Sequence, residues 1–221
     1  KLTALHLNDA RVDDAAVAQL AALGQLERVN LGQTRITDTA AQDLAKCRKL
    51  RWLLLAGTQL SDGALPALAS LPELESLFLS ETPITDAGLN HLKTYPRLRE
   101  LFVSGTSVTD VGVQSLREIK ELRMLSLRST EVSDAGVAAL ACHSNLHTLW
   151  LDRTHITNAA AVSLAELNNL KSLDISFTPL SDPAIGSLCN LKKLEFLNLR
   201  GTRLTDEGLN RLGELPELRM L

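Results

Sequence analysis

The sequence is poor in the residues on which several function classes depend. Aromatic side chains make up 3% of the 221 residues, so the core must consist mainly of Leu, Val, Ile and Ala. No apolar run approaches the ~18 residues typical of a transmembrane helix. The formal net charge of -3 gives no electrostatic reason to expect nucleic acid or an anionic membrane as a partner. We therefore expect neither as a partner.

Cysteine is scarce as well. The three residues Cys47, Cys142 and Cys189 are irregularly spaced, and an odd count does not fit a disulfide framework. The sequence also lacks Asn-x-Ser/Thr acceptors. Both observations favour a reducing, intracellular location. Three free thiols are predicted, because the cysteines lie too many strands apart for a bridge.

Motifs that would indicate catalysis or metal binding are missing. The sequence contains no CxxC, HExxH, GxGxxG or Walker-type run. Cys142 precedes His143, but adjacent side chains on a helix point in different directions. Asp152 and His155 are interpreted as a surface pair. The sequence therefore predicts no catalytic residue, no metal, no cofactor and no enzyme activity.

What the sequence does contain is a repeat of 24 residues. Threonine recurs at this interval from Thr34 to Thr202, and leucine from Leu2 to Leu218. The unit reads L-x-x-L-x-L-x-x-T-x-[IVL]-[TS]-D-x-[AG]-[LVI]-x-x-L-x-x-L-x-x. No low-complexity linker interrupts it. We interpret residues 1–221 as a single domain of nine full repeats and the start of a tenth, which we expect to be part of a longer chain.

The two halves of the unit have different periods. The L-x-L half alternates as a short strand does, whereas Leu89, Leu92 and Tyr95 recur at the spacing of one helix face. One unit alone cannot bury its leucines, and stacked units form a continuous core. The pattern is therefore typical of a solenoid.

The strand half, L-x-x-L-x-L-x-x-T, resembles the leucine-rich repeat family over essentially the whole chain. The [IVL]-[TS]-D-x-G-L half is similar to the cysteine-containing subclass of F-box substrate adaptors. It is still more similar to threonine-type repeats of some bacterial and protozoan proteins. The resemblance implies an α/β horseshoe, with a parallel sheet on the concave side and short helices on the convex side. It also implies binding rather than catalysis.

The repeated polar positions have structural interpretations. A stacked column of threonine hydroxyls is expected to join neighbouring turns by hydrogen bonds. Pro183 is tolerated at the first helical position, which predicts that Asp182 caps the helix, as do the equivalent aspartates. Small residues two places further on, such as Gly88, are expected to let each helix approach its neighbour closely.

The outward positions of the predicted strands and the rim beside them hold six of the seven aromatic residues. Phe78 and Phe102 occupy equivalent places on neighbouring strands, so their rings should touch. Phe177 is placed one position past its strand, on the rim. The predicted protein-binding residues are Trp52, Leu54, Phe78, Phe102, Met124, Trp150, Phe177 and Phe196, with Arg128, Asp152 and Arg200 as a polar rim.

This pattern predicts a protein–protein interaction module that recognises a protein or peptide through its concave face, because a contiguous apolar patch usually marks an interaction site. Three other interpretations remain open. The rings can simply shield one another on the sheet. The array can be a structural scaffold that uses its ends or convex side, including end-to-end self-association of uncapped repeats. It can also be a recognition domain fused to an enzyme outside this segment.

Overall fold

The computed structural model describes residues 2–221. Nine short strands form one open parallel sheet, and a helix follows each strand. The strands are β1 Ala4–His6, β2 Arg28–Asn30, β3 Trp52–Leu54, β4 Ser76–Phe78, β5 Glu100–Phe102, β6 Met124–Ser126, β7 Thr148–Trp150, β8 Ser172–Asp174 and β9 Phe196–Asn198. The helices are α1 Asp14–Leu20, α2 Asp38–Leu44, α3 Leu65–Leu68, α4 Asp86–Leu92, α5 Asp110–Ser115, α6 Asp134–Leu140, α7 Ala160–Leu164, α8 Asp182–Leu188 and α9 Asp206–Arg211. Short 3-10 turns flank α3, α5 and α9.

The register of the sheet reproduces the repeat of the sequence. Each strand pairs with the strand of the next repeat, and partners are 24 residues apart, as in Phe78 opposite Phe102. The strand order along the sheet is the order in the chain. The predicted α/β leucine-rich-repeat horseshoe is therefore confirmed, with the sheet on the concave side and the helices on the convex side.

One continuous hydrophobic cluster lies between the strands and the helices. In β2 to β9 the middle residue, such as Leu77 or Leu101, is buried, while its two neighbours project from the other face of the sheet. Tyr95 follows the end of α4 but is also buried, and its hydroxyl donates to the carbonyl of Leu65 at 2.9 Å. None of the helices within residues 2–221 is long and apolar enough to cross a membrane.

The aspartate column does not cap its own helices, so that prediction is wrong. The N-cap of α4 is Thr85, and Asp86 is the first helical residue. The carboxylate of Asp86 instead accepts hydrogen bonds from the backbone nitrogen and hydroxyl of Thr109, the N-cap of α5. Likewise Asp182 contacts Thr205 rather than capping α8. Seven aspartates of the column therefore join adjacent repeats: Asp14, Asp38, Asp62, Asp86, Asp110, Asp134 and Asp182.

The threonine column also differs from the prediction. The hydroxyl of Thr106 donates to the carbonyl of Val103, three residues earlier in the same repeat, at 2.6 Å. Thr58 and Thr130 make the same local bond to Leu55 and Leu127. These hydroxyls therefore fix the turns after β2 to β9, each by a bond within its own repeat.

The three cysteines are free, as predicted. Cys47 and Cys189 are buried, whereas Cys142 is exposed. Burial raises the pKa of the Cys47 and Cys189 thiols. The Cys142 sulfur lies 3.6 Å from Nδ1 of His143. That ring is buried, and its two nitrogens lie 3.1 and 3.0 Å from the carbonyls of Leu140 and Leu116.

Candidate functional site

Four aromatic rings form a continuous row on the outer face of the sheet. We call Trp52, Phe78, Phe102 and Trp150 the aromatic row. The centroids of Trp52 and Phe78 lie 5.0 Å apart, and the Phe78 and Phe102 rings stack at 4.5 Å with an interplanar angle of 12°. The predicted contact between Phe78 and Phe102 is thus confirmed. All four side chains are only partly buried.

The row continues across one strand that carries no ring. Ser126 on β6 separates Phe102 from Trp150, yet their rings meet edge to face at 5.7 Å. The serine is small and fully buried, and its hydroxyl lies 2.7 Å from that of Ser104. The rings of Phe102 and Trp150 therefore contact each other above the buried side chain of Ser126. At the other end of the row, His6 extends the series, 6.3 Å from Trp52.

The other apolar residues predicted for the site lie beside the row. Leu54, Met124 and Phe196 project from β3, β6 and β9 and are partly exposed. Phe177 is displaced from its predicted place, because β8 ends at Asp174 and the phenylalanine lies in the turn that follows. It is therefore three residues past the strand rather than one.

The polar rim is only partly as predicted. Arg128 and Arg200 are exposed, but Asp152 is 2% exposed and does not lie on the rim. Nε of Arg128 contacts both carboxylate oxygens of Asp152, at 2.9 and 3.1 Å. Burial and the neighbouring Asp174 raise the pKa of Asp152, and Arg128 opposes this rise. The predicted pair of Asp152 and His155 is not formed, because His155 contacts Glu131 at 2.9 Å.

Phe177 is the centre of a second cluster, the arginine clamp, formed by Arg153, Phe177 and Arg200. The guanidinium carbons of the two arginines lie 4.4 and 5.3 Å from the centroid of the ring, within the range of cation–π attraction. Phe177 has a φ of 55°, which is uncommon for a bulky residue. Gly201 makes room for the ring, since a Cβ there would lie 2.7 Å from Cδ1 of Phe177.

The edge of the face where the strands begin is polar and divides into two parts. The first is a groove of about 540 Å³ beside Trp52 with both signs of charge. It is lined by His6, Glu27, Arg28, Arg51, Trp52, Glu75, Ser76 and Glu100. Within it Arg51 donates from Nε and Nη2 to one oxygen of Glu75, at 3.2 and 2.7 Å. This part is therefore largely neutralised by its own ion pairs.

The second part, which we call the basic pocket, has a volume of about 250 Å³. It is lined by Arg123, Asn145, His147, Asn169, Lys171 and Lys193. Nδ1 of His147 lies 3.1 Å from the hydroxyl of Thr148. Burial and the adjacent Arg123 lower the pKa of His147, as does Lys171, while Glu100 raises it. None of the residues within 2–221 that line this pocket is acidic.

Several residues of the face were not predicted from the sequence. His6 and Arg153 occupy the same repeat positions as Phe78 and Phe177, so the 24-residue register would have placed them. The basic pocket was missed because its residues come from three repeats and are not contiguous in the sequence. Among residues 2–221, no group of three or more His, Cys, Asp or Glu side chains is placed to hold a metal ion.

Two family models match single repeats of the chain. Residues 190–213 and residues 169–191 match two models, both described as leucine-rich repeat. No curated protein matches the chain.

Solved structures match over nearly the full chain. Internalin C2 from Listeria monocytogenes is 22% identical, with a TM-score of 0.76 over 94% of this chain and 91% of that one. An internalin InlF from the same organism is 20% identical, with a TM-score of 0.58 over 99% and 79%. The ectodomain of the plant membrane receptor kinase GASSHO1/SCHENGEN3 from Arabidopsis thaliana is 23% identical, with a TM-score of 0.72 over 100% and 26%.

These likenesses concern the fold. They show that the fold is a leucine-rich-repeat solenoid, and the two leucine-rich repeat models match residues 169–213 of it. Domains of this kind are generally protein–protein interaction modules and are typically non-enzymatic.

Proposed function

We propose that the strand face recognises a protein or peptide partner and that the aromatic row is its apolar anchor. The observation that carries the proposal is the unbroken contact of four partly exposed rings across five strands, β3 to β7. A sheet of parallel strands normally has both faces covered, and a contiguous apolar patch in water is typical of an interaction site. Aromatic side chains also dominate the energetics of interfaces.

The surroundings of the row favour a polypeptide as the occupant. Charges of both signs flank the rings, and a mixed polar rim around an apolar centre is typical of protein interfaces. One structural neighbour, the GASSHO1/SCHENGEN3 ectodomain, is described in complex with CASPARIAN STRIP INTEGRITY FACTOR 2. The horseshoe also presents the row on its concave side, where a narrow segment can contact several strands.

We also propose that the nine repeats form one domain and that they belong to the cysteine-containing or threonine-type subclass. We propose further that the protein is intracellular. The single core cluster supports the first, and the free cysteines support the last. End-to-end self-association through the terminal repeats stays a prediction that light scattering would test.

The proposal is tested by removing the row. The triple variant Phe78→Ala, Phe102→Ala and Trp150→Ala is expected to lose at least ~100-fold in affinity for any protein captured by the wild-type chain, because hot-spot truncations cost ~2 kcal/mol or more each. The matched control removes three exposed apolar residues outside the strand face: Val111→Ala, Val162→Ala and Leu209→Ala. Far-UV circular dichroism must be unchanged in both variants.

A further variant and a fluorescence measurement test the proposal even if the triple variant folds poorly. Ala56→Arg leaves every ring in place but adds a long side chain on the same face, and it should weaken binding as well. The only two tryptophans of the chain, Trp52 and Trp150, both lie in the row, so partner binding should change tryptophan emission directly. If the triple variant keeps full affinity, the proposal is wrong and a scaffold function takes its place.

A further inference from the structure

The basic pocket contains cationic hydrogen-bond donors that have few acceptors within the described chain. Among residues 2–221, Arg123 lines the pocket but makes no side-chain hydrogen bond and no ion pair. Lys193 contacts only the neutral amide oxygen of Asn169, at 2.6 Å. The amides of Asn145 and Asn169 donate to backbone carbonyls of the preceding repeat, at 3.2 and 2.8 Å. Cationic donors are therefore left facing the pocket.

The charge of the pocket fits a doubly charged anion. Lys171 is paired with Glu195 at 2.8 Å, and Arg123 and Lys193 have no carboxylate partner among the described residues. Three cations against one carboxylate leave two positive charges, while the His147 ring adds a further hydrogen-bonding group. A phosphoryl group carries a charge of about -1.5 to -2 and three strong acceptor oxygens. A single carboxylate would leave more of these donors unused.

The pocket also stands at a defined distance from the aromatic row. His147 immediately precedes β7 and Trp150 ends it. Three residues of extended chain separate their Cα atoms by about 10 Å. In a polyproline-II segment, residues i and i+3 share a face and are about 9 Å apart. One such segment can therefore place one side chain in the pocket and another on Trp150.

We propose that the basic pocket binds a phosphoryl group on the partner segment, three residues along that segment from the apolar side chain that packs on Trp150. This assignment rests on the proposed function of the strand face, because the aromatic row supplies the second contact.

The first experiment uses inorganic phosphate and the imidazole NMR signals of His147, at constant ionic strength with chloride as the reference. Saturable shifts are expected. Lys193→Met should weaken phosphate binding about tenfold, because one charge-assisted contact is lost. Lys49→Met is the matched control, since Lys49 makes the same contact to an amide, Gln25, at 2.6 Å, outside the pocket. Shifts that rise linearly and equally in both variants would mean general screening and would overturn the site.

The second experiment asks whether the phosphoryl group is carried by a segment. A peptide containing phosphoserine-Pro-Pro-Leu should bind about 100-fold more tightly than inorganic phosphate, because its two contacts are linked. Glutamate in place of phosphoserine, or leucine directly beside phosphoserine, should remove most of this gain. If the glutamate peptide binds as tightly as the phosphoserine peptide, the pocket does not select a phosphoryl group. If the phosphoserine peptide binds no more tightly than inorganic phosphate, the phosphoryl group is not recognised as part of a segment.

The outcomes separate this inference from the proposed function. The aromatic triple variant should still bind inorganic phosphate, because none of its substitutions lines the pocket, and it should lose the extra affinity of the peptide. If the triple variant loses the captured partner while phosphate fails to bind the wild-type chain, only the phosphoryl site is wrong. A different result is that the triple variant retains full affinity for the captured partner and the extra affinity of the peptide, while phosphate binds the wild-type chain. In that case the aromatic row is not the apolar anchor.

Discussion

The carboxylate of Asp86 binds Thr109 of the next repeat at two points, its backbone nitrogen at 2.8 Å and its hydroxyl at 2.7 Å. Equivalent pairs join Asp38 to Ser61 and Asp134 to Thr157. The threonine or serine in turn caps its own helix, as Thr109 does by accepting from the nitrogen of Val111. Helix capping and repeat stacking therefore depend on the same two side chains.

Replacing this aspartate should destabilise the stack. We expect Asp86→Ala to lower the free energy of unfolding by ~1–3 kcal/mol, since hydrogen bonds to a charged group are lost and a partly buried donor is left unpaired. Asp86→Asn should cost less, because Asn158 occupies this position naturally and exchanges two hydrogen bonds with Ser181, at 2.8 and 2.9 Å. Urea denaturation followed by circular dichroism measures both.

Asp206 provides the control for this prediction. It has the same place in the ninth repeat but makes no side-chain hydrogen bond within residues 2–221. Asp206→Ala should therefore change the urea midpoint much less than Asp86→Ala. Equal losses in the two variants would show that the helix dipole, rather than the link between repeats, is the stabilising term.

Gly201 should tolerate a side chain less well than Gly105. Both have a left-handed backbone, with φ of 70° and 65°, so alanine costs ~1–2 kcal/mol at either position. At Gly201 the added Cβ would also meet the Phe177 ring at 2.7 Å, whereas at Gly105 the nearest atom is 3.5 Å away. Urea denaturation should show the larger loss for Gly201→Ala, and indistinguishable losses would contradict the packing of the arginine clamp.

The thiols should differ in reactivity. In the folded protein only the exposed Cys142 is expected to react rapidly with a thiol reagent such as Ellman's reagent, because Cys47 and Cys189 are buried and burial raises the pKa of both thiols. All three should react after denaturation without reductant. Cys142→Ser removes the fast phase. Rapid reaction of two or more thiols in the native state would contradict this burial.

The stability should fall in mildly acid solution because of His143. Burial lowers the pKa of this ring below that of the unfolded chain, which titrates near 6.5. The unfolded chain therefore binds the proton first as the pH falls. Stability is full above about pH 6.5 and declines below it, by at most ~1.4 kcal/mol per pH unit. Urea denaturation from pH 7.5 to 5.5 measures this slope.

Two variants separate His143 from its neighbour in the pocket. His143→Gln should be less stable at pH 7.5, since the contacts to Leu116 and Leu140 change, but its stability should fall less on acidification. His147→Gln removes the other histidine whose pKa is lowered. If the slope is the same in wild type and His143→Gln, the protonation of another group is responsible.

The sequence by itself determined the architecture and the face on which the candidate site lies. A repeat of 24 residues without insertions requires equivalent residues to stack, so the register of Phe78 opposite Phe102 follows from counting. The alternation of L-x-L fixes which side chains are buried, because successive side chains on a strand point to opposite faces. Local periodicity is a property of the sequence, and for this reason these predictions are confirmed.

The tertiary structure decided which neighbour each polar side chain binds. Asp86 is close to the N-terminus of its own helix along the chain, yet its partner lies in the next repeat. Asp152 has the pattern of a rim residue, yet its side chain is buried against Arg128. Phe102 reaches Trp150 only because the intervening Ser126 is small. Such contacts depend on distances between adjacent repeats and on the size of the side chain beside each one, and neither is expressed in the period of a single repeat.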